Sequence, residues 1–364
     1  MKIAQVAPLF ESVPPKGYGG TERIVSYLTE ELVRQGHEVV LFASGDSVTR
    51  ARLEAVVDQG LRLHPRCMDP YAHHILMLER LRKFAGDFDV VHFHIDYLHF
   101  PLVRHLGVPS VTTLHGRLDL PDLAPLYQEF NDLPLISISR SQRRPLPFAH
   151  WVGTIHHGLP PELYEFHPEP GGYLAFLGRI SPEKRPDRAI EIAIRTGLPL
   201  RLAAKVDRAD QVYFDTRIRP LLDHPLVEFL GEIGEGEKSD FLGGALALLF
   251  PIDWPEPFGL VMIESLACGT PVIAYRAGSV EEVIDHGDTG FIVDNLAEAV
   301  AAVARVQELS RWRCREVFEE RFTVSRMTRE YVAAYQQVIL GAWAWPQVAQ
   351  KTGGVYGEKP RYVS

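Results

Sequence analysis

Short apolar runs alternate with stretches in which apolar residues recur every three or four positions, over most of the 364 residues. Runs at 3–8, 39–43, 90–93, 110–114, 135–138 and 152–156 have the length and apolar content of buried parallel strands. A second set follows at 173–177, 200–203, 227–230, 247–250, 271–274 and 291–293. Between them, Ile24, Leu28, Leu32 and Val33 mark one face of a helix that Thr21 can cap and Gly36 can end. Ile75, Leu78 and Leu81 mark another, with Arg80, Arg82 and Lys83 as a basic edge that reads as a solvated face. Met262, Ile263, Leu266 and Ala267 bury a third against a sheet, and a last helix runs from Val324 to about Leu340. The two sets are separated by an aperiodic segment, 158–172, that contains Pro160, Pro161, Pro168 and Pro170. The pattern predicts two doubly wound α/β domains, 1–160 and 173–323, joined by a linker at 161–172.

Composition narrows the function without naming it. A hydrophobic fraction of 46% and a charged fraction of 23% are ordinary for a globular protein, and a net charge of −9 argues against nucleic acid as partner. Cys67, Cys268 and Cys314 are odd in number and widely spaced, which suits a reducing cytoplasm better than a disulfide framework. No run approaches eighteen apolar residues, so no membrane span is expected. Peripheral membrane contact is left open.

Candidate chemistry concentrates in 251–274, PIDWPEPFGLVMIESLACGTPVIA. Glu256 lies in a loop and Glu264 in the helix it launches, with seven residues between them. Pro257 suits a first helical turn, and Phe258, Gly259 and Leu260 would then put backbone N–H groups at the positive end of a helix. Two glutamates at this spacing equally suit a dipole partner and a solvated side chain. Gly17, Gly19 and Gly20 stand between a strand end and a helix start, where backbone can approach a phosphate, although they do not form a GxGxxG fingerprint. Ser181 and Pro182 read as a helix cap and first turn, so Arg179 and Lys184 would flank an anion-binding terminus; pairing with a local acid such as Glu183 is the alternative.

Other clusters are set aside. His92, His94 and His99 read as packed or hydrogen-bonded histidines rather than a metal site, and Asp87-Phe88-Asp89 precedes a strand instead of following one. Arg140, Arg143 and Arg144 suit a solvated turn or an anionic surface.

The 256–264 signature resembles that of the retaining family-4 glycosyltransferases (glycosyl transferases group 1). The resemblance extends through Gly19-Gly20, His115, Arg179-Lys184 and the loop Gly231-Glu232-Ile233. It implies the GT-B fold, two Rossmann-like domains facing a cleft, with the helix at 324–342 crossing back to the first domain; the tail at 343–364 has no functional reading. It also implies a metal-independent hexosyltransferase that needs no cofactor beyond a nucleotide-sugar donor, UDP-sugar first with GDP and ADP open, and an unknown acceptor. Donor binding would fall to Gly19, Gly20, Arg179, Lys184, Ile233, Glu256, Phe258, Gly259, Leu260 and Glu264. His115, Arg179, Lys184 and Glu256 would be the catalytic group. An epimerase, a sugar phosphorylase, a dinucleotide oxidoreductase and a non-catalytic nucleotide-sugar binder are the rivals.

Overall fold

The computed structural model describes residues 1–17, 19–62 and 64–341. The first sheet contains β1 (Lys2–Val6), β2 (Glu38–Ala43), β3 (Arg52–Ala55), β4 (Val90–Phe93), β5 (Ser110–Leu114), β6 (Leu135–Ser137) and β7 (Trp151–Thr154). The second contains β8 (Tyr173–Arg179), β9 (Leu200–Lys205), β10 (Val227–Gly231), β11 (Ala245–Phe250), β12 (Val272–Tyr275) and β13 (Gly290–Val293). Their orders are β3-β2-β1-β4-β5-β6-β7 and β10-β9-β8-β11-β12-β13. Neighbours in both sheets are parallel, so each connection crosses over a face of its sheet and most do so with a helix.

This shared order explains the sequence pattern. Ile3 pairs with Val39 on one side and Val90 on the other, and a strand so enclosed is apolar on both faces. Ile3, Ala4 and Val6 have no exposed surface. β3 has one neighbour and keeps Arg52 and Glu54 in its four residues, which is why periodicity alone did not reveal it. In each sheet the direction of winding reverses once, between β1 and β4 and between β8 and β11. Ligands of open parallel sheets bind in the crevice at such switch points, beyond the carboxyl ends of the strands.

Three helix starts differ from the sequence expectation. The first helix, Gly20–Arg34, is capped by Gly19 with no side-chain bond, and Thr21 lies inside its first turn. A Cβ on Gly19 would stand 2.8 Å from that of Pro15, so the position is reserved for glycine by space. The second helix of that half, Pro70–Phe84, buries His74, Met77, Leu78 and Leu81, while Ile75 faces outward. Ser181 and Pro182 form a turn rather than a helix cap; the helix is Pro186–Thr196. Proline disfavours right-handed helical backbone in the residue before it, so the helix starts at Pro186, and Arg185 stands outside it at φ 52. Similarly the helix after Glu256 is Leu260–Ala267, because Gly259 at φ 79 interrupts any earlier start at Pro257.

The segment between the sheets is packed. Tyr164 donates to Glu235 at 2.7 Å, and the buried Arg311 guanidinium donates to the carbonyls of His167, Ala245 and Gly243. Leu159 N–H donates to Phe322 O at 2.8 Å, and Val324 N–H to Leu159 O at 2.9 Å, so the two chain crossings lie side by side. The helix Val324–Ile339 then returns to the first sheet and packs on the helix Gly20–Arg34.

Candidate active site

The loops leaving both switch points enclose one cleft of about 580 Å³. All residues singled out from the sequence reach it: Gly19, Gly20 and His115 from one side, and Arg179, Lys184, Ile233, Glu256, Phe258, Gly259, Leu260 and Glu264 from the other. The two sides touch. A Cβ on Gly20 would lie 3.8 Å from Leu260 Cδ1, so the starts of the helices Gly20–Arg34 and Leu260–Ala267 meet across the opening.

Glu256 is held by its backbone. Its N–H donates to Trp254 O at 2.8 Å and its O accepts from Ser279 N–H at 3.1 Å, while Ser279 Oγ donates to Phe258 O at 2.6 Å. Gly278, at φ +56, passes so close that a Cβ would lie 2.3 Å from Glu256 O. The carboxylate Oε2 accepts from Lys184 Nζ and, at 2.8 Å, from Trp254 Nε1. Oε1 makes no hydrogen bond with the described residues.

Glu264 repeats this economy. Its Oε1 accepts from Lys238 Nζ at 2.9 Å, and Oε2 has no partner among the described residues. Lys238 also meets Glu235 at 3.0 Å. Burial opposes the charge on Lys238, yet Glu264 and Glu235 carry its pKa above the ordinary lysine value. Glu235 in turn binds Arg23 of the first helix at 2.8 Å, which makes this network a bridge between the two sheets. Sequence reading missed Lys238 and Glu235, because nothing in local spacing pairs a residue at 23 with one at 235.

Arg179 and Lys184 line the cleft from the end of β8 and the turn after it, not from a helix terminus. Arg179 stands among Glu183 at 2.6 Å, Asp207 at 3.6 Å and Asp210 at 3.7 Å. Lys184 lies over the rings of Trp254 and Phe250, 5.3 and 5.7 Å from their centres. Gly231, at φ 71, turns the chain after β10 so that Glu232 and Ile233 face the cavity.

On the opposite wall His115 ends a buried hydrogen-bonded chain. Its Nε2 lies 2.9 Å from His94 Nδ1, His94 Nε2 lies 2.8 Å from Gln5 Oε1, and Gln5 Nε2 donates to Tyr335 OH at 3.0 Å. The Tyr335 hydroxyl is 2.7 Å from His92 Nδ1, and His92 Nε2 is 2.7 Å from Thr113 Oγ1. An amide oxygen can only accept, so His94 donates from Nε2, accepts at Nδ1, and receives the Nε2 proton of His115. Burial keeps these rings neutral: His92 and His94 titrate well below the ordinary range and His115 at about 3. The lone pair of His115 is thus at Nδ1, beneath a stacked His157 ring 5.4 Å away.

Of the clusters set aside, His94 lines the cleft and His92 lies behind it in this hydrogen-bonded chain, while the others lie elsewhere. His99 stacks on Phe93 and bonds Thr112, and Asp89 accepts from Lys2 N–H at 2.7 Å at the start of β4. Among the described residues no group of three His, Cys, Asp or Glu side chains is arranged to hold a metal. Arg140 and Arg143 border a separate surface cavity with His156, Glu282 and Arg321, where Glu282 accepts from the Arg140 and Ser141 N–H groups at 2.7 and 2.8 Å.

Two family models divide the chain at the same place as the sheets. "Glycosyltransferase Family 4" matches residues 18–152, and "Glycosyl transferases group 1" matches 165–316. The chain belongs to the GT-B glycosyltransferases of family 4. This glycosyltransferase is 27% identical to a GDP-mannose-dependent alpha-mannosyltransferase of Mycolicibacterium smegmatis, over 98% of this chain and 97% of that one. It is 25% identical to AviGT4, a glycosyltransferase involved in avilamycin A biosynthesis, covering 94% of this chain and 98% of that one with a TM-score of 0.73. The Anabaena HepE structure in complex with UDP and glucose shares the fold at a TM-score of 0.72, with 18% identity and coverage of 93% and 100%. No helix among the glycosyltransferase's described residues is long and apolar enough to cross a membrane.

Proposed function

We propose that the protein transfers a hexosyl group from a nucleotide sugar, UDP-sugar first, to an acceptor hydroxyl with retention of anomeric configuration and without a metal. The observation that carries this reading is the pair Glu256 and Glu264, each with one carboxylate oxygen held by a lysine and the other without a partner among the described residues in the same cleft. Charged acceptors of this kind bind hydroxyls strongly. Glu264 takes the ribose hydroxyls and Glu256 the hydroxyls of the sugar. Glu256 serves as an orienting group rather than a covalent nucleophile.

The main electrostatic task is to stabilise the charge that grows on the diphosphate as its bond to the anomeric carbon breaks. Arg179 and Lys184, with the start of the helix Leu260–Ala267, face that region, and fixed cations and dipoles there need no rearrangement in the transition state. Phe258, Gly259 and Leu260 supply the close backbone wall, Gly19 and Gly20 close on the diphosphate from the first domain, and Ile233 borders the base. The acceptor oxygen attacks the face that the phosphate leaves, and its proton passes to the departing phosphate oxygen. His115, held neutral by burial, borders the reacting sugar from the first domain and does not act as an acid.

The donor is tested first by thermal shift against UDP-, GDP- and ADP-hexoses with and without metal, since a ligand of the folded state raises its stability. The relatives named above include a GDP-mannose enzyme and a neighbour crystallised with UDP, so the panel must span both bases. With the selected donor, Glu264→Ala should raise its Kd about tenfold through lost ribose bonds, and Lys184→Ala should chiefly lower kcat. Normal kinetics in both variants would remove this cleft from the reaction. NMR of the product's anomeric proton decides retention.

A further inference from the structure

The acceptor half of the cleft has a distinct chemistry, and its interpretation rests on the glycosyl-transfer reading above. Asp96 follows β4 at the first sheet's switch point and lines the cavity. Its φ is +52, and Asp96 and Arg185 are the two non-glycine residues with positive φ among those described. Aspartate tolerates left-handed backbone better than most residues, and positive φ outside glycine concentrates at binding sites.

The Asp96 carboxylate makes no hydrogen bond or ion pair with the described residues. Asp96 is exposed to the cleft, and desolvation by the surrounding protein raises its pKa above the ordinary carboxylate value. Cations on the same side of the cleft are paired with other acids: Arg62 with Glu11 at 2.8 Å, Lys16 with Asp46 at 3.2 Å and Arg117 with Asp119 at 2.7 Å. The first-sheet side of the same cleft is also lined by Phe10, Tyr71 and Tyr97. Phe10 and Tyr71 meet edge to face with centres 6.5 Å apart, and Tyr71 and Tyr97 remain 57% and 40% exposed.

We propose that Asp96 and the rings of Phe10, Tyr71 and Tyr97 form the acceptor subsite, and that the acceptor is an uncharged sugar or polyol. Its hydroxyls donate to the carboxylate and its C–H faces lie on the rings. A phosphorylated or carboxylated acceptor would bring its charge against a carboxylate that no cation neutralises, which the arrangement disfavours. The reacting hydroxyl forms its bond to the anomeric carbon and releases its proton to the departing phosphate. Asp96 orients the acceptor and is unchanged.

The test is saturation-transfer NMR on the full chain with the nucleotide diphosphate that the donor panel selects, or UDP if it selects none. The probes are methyl glucoside, methyl mannoside, methyl galactoside and myo-inositol, against their monophosphates. At least one neutral probe should bind in preference to its phosphate. Asp96→Asn keeps the side chain's shape and its tolerance of left-handed backbone, and should weaken that probe about tenfold; Tyr71→Ala should do the same. Nucleotide Kd should stay within about twofold in both variants, since neither residue faces the donor. Preference for the phosphates, absence of binding by every neutral probe, or an unchanged probe Kd in Asp96→Asn overturns the proposal. Failure of the donor reading shows separately, as absence of nucleotide-sugar binding to the wild type.

Discussion

Arg23 and Glu235 meet at 2.8 Å although one belongs to the first helix of the first sheet and the other to the loop-helix junction after β10 in the second. Their side chains are 11% and 26% exposed, so the pair is largely desolvated. Arg23→Ala leaves Glu235 with Lys238, Tyr164 and a 3.4 Å hydrogen bond from Tyr27 of the same first helix, and removes the ion pair between the sheets. The variant should lose about 1–3 kcal/mol of stability and populate a more open form without ligand. Small-angle scattering should give a larger radius of gyration for ligand-free Arg23→Ala; an identical radius would show that the bridge does not govern closure.

Gly278 bears on Glu256 without touching the cleft itself. An alanine there would combine φ +56 with a Cβ 2.3 Å from Glu256 O, so the loop must move. Gly278→Ala should lower turnover about 100-fold, because displacement of an orienting group by an ångström is enough to do so. Gly287→Ala is the comparison: φ is +81 but nothing lies within 4 Å of the added methyl, so only about 1 kcal/mol of backbone strain is expected and activity should persist. Equal losses in the two variants would mean that strain alone, not the position of Glu256, matters.

The buried histidines set the acid limit of the fold. His92, His94, His99 and His157 are held well below the ordinary range and His115 at about 3, in each case chiefly by burial. Above about pH 6.5 they are neutral both folded and unfolded; below it the unfolded chain gains protons that the folded one refuses. Stability is therefore lost as pH falls, by about 1.4 kcal/mol per pH unit for each such group. The melting temperature should be level above pH 7 and decline between about pH 6.5 and 5, and His99→Gln should make the decline shallower. A flat profile over that interval would contradict the burial of these rings.

Tyr335→Phe interrupts the chain that ends at His115. It leaves Gln5 Nε2 without its acceptor and His92 Nδ1 without its donor, at a loss of about 1–3 kcal/mol. Nitrogen-15 NMR should show His115 protonated at Nε2 in the wild type and a mixture of tautomers in the variant. A single unchanged tautomer would confine Tyr335 to packing.

What the chain discloses in advance follows from how local each cause is. Ile3 to Val6 could be recognised as a central strand because enclosure on both faces leaves no room for polar residues, whereas Arg52 to Ala55, at an edge, kept them and escaped notice. Glu256 and Glu264 were recognisable because their spacing is carried by one loop and one helix. Lys238, Glu235 and Tyr335 were not, since each acts on a residue dozens to hundreds of positions away. Asp96 left one usable clue, its place just after a strand end, but nothing in the neighbouring sequence announces the left-handed backbone that distinguishes it. The helix starts at Pro186 and Leu260 were displaced from expectation by single residues, a proline acting on Arg185 and a glycine at 259.

The return of Val324–Ile339 to the first sheet has a consequence for how the molecule is made. Gln5, His92 and Thr113 find hydrogen-bond partners on that helix, in the hydroxyls of Tyr335 and Tyr331. A nascent chain emerges amino terminus first, and domains generally fold as units in that order. Here the half that is synthesised first stays unfinished, with polar groups of its central strands unanswered, until the helix Val324–Ile339 has been made. The second half, made later, is the one able to close first.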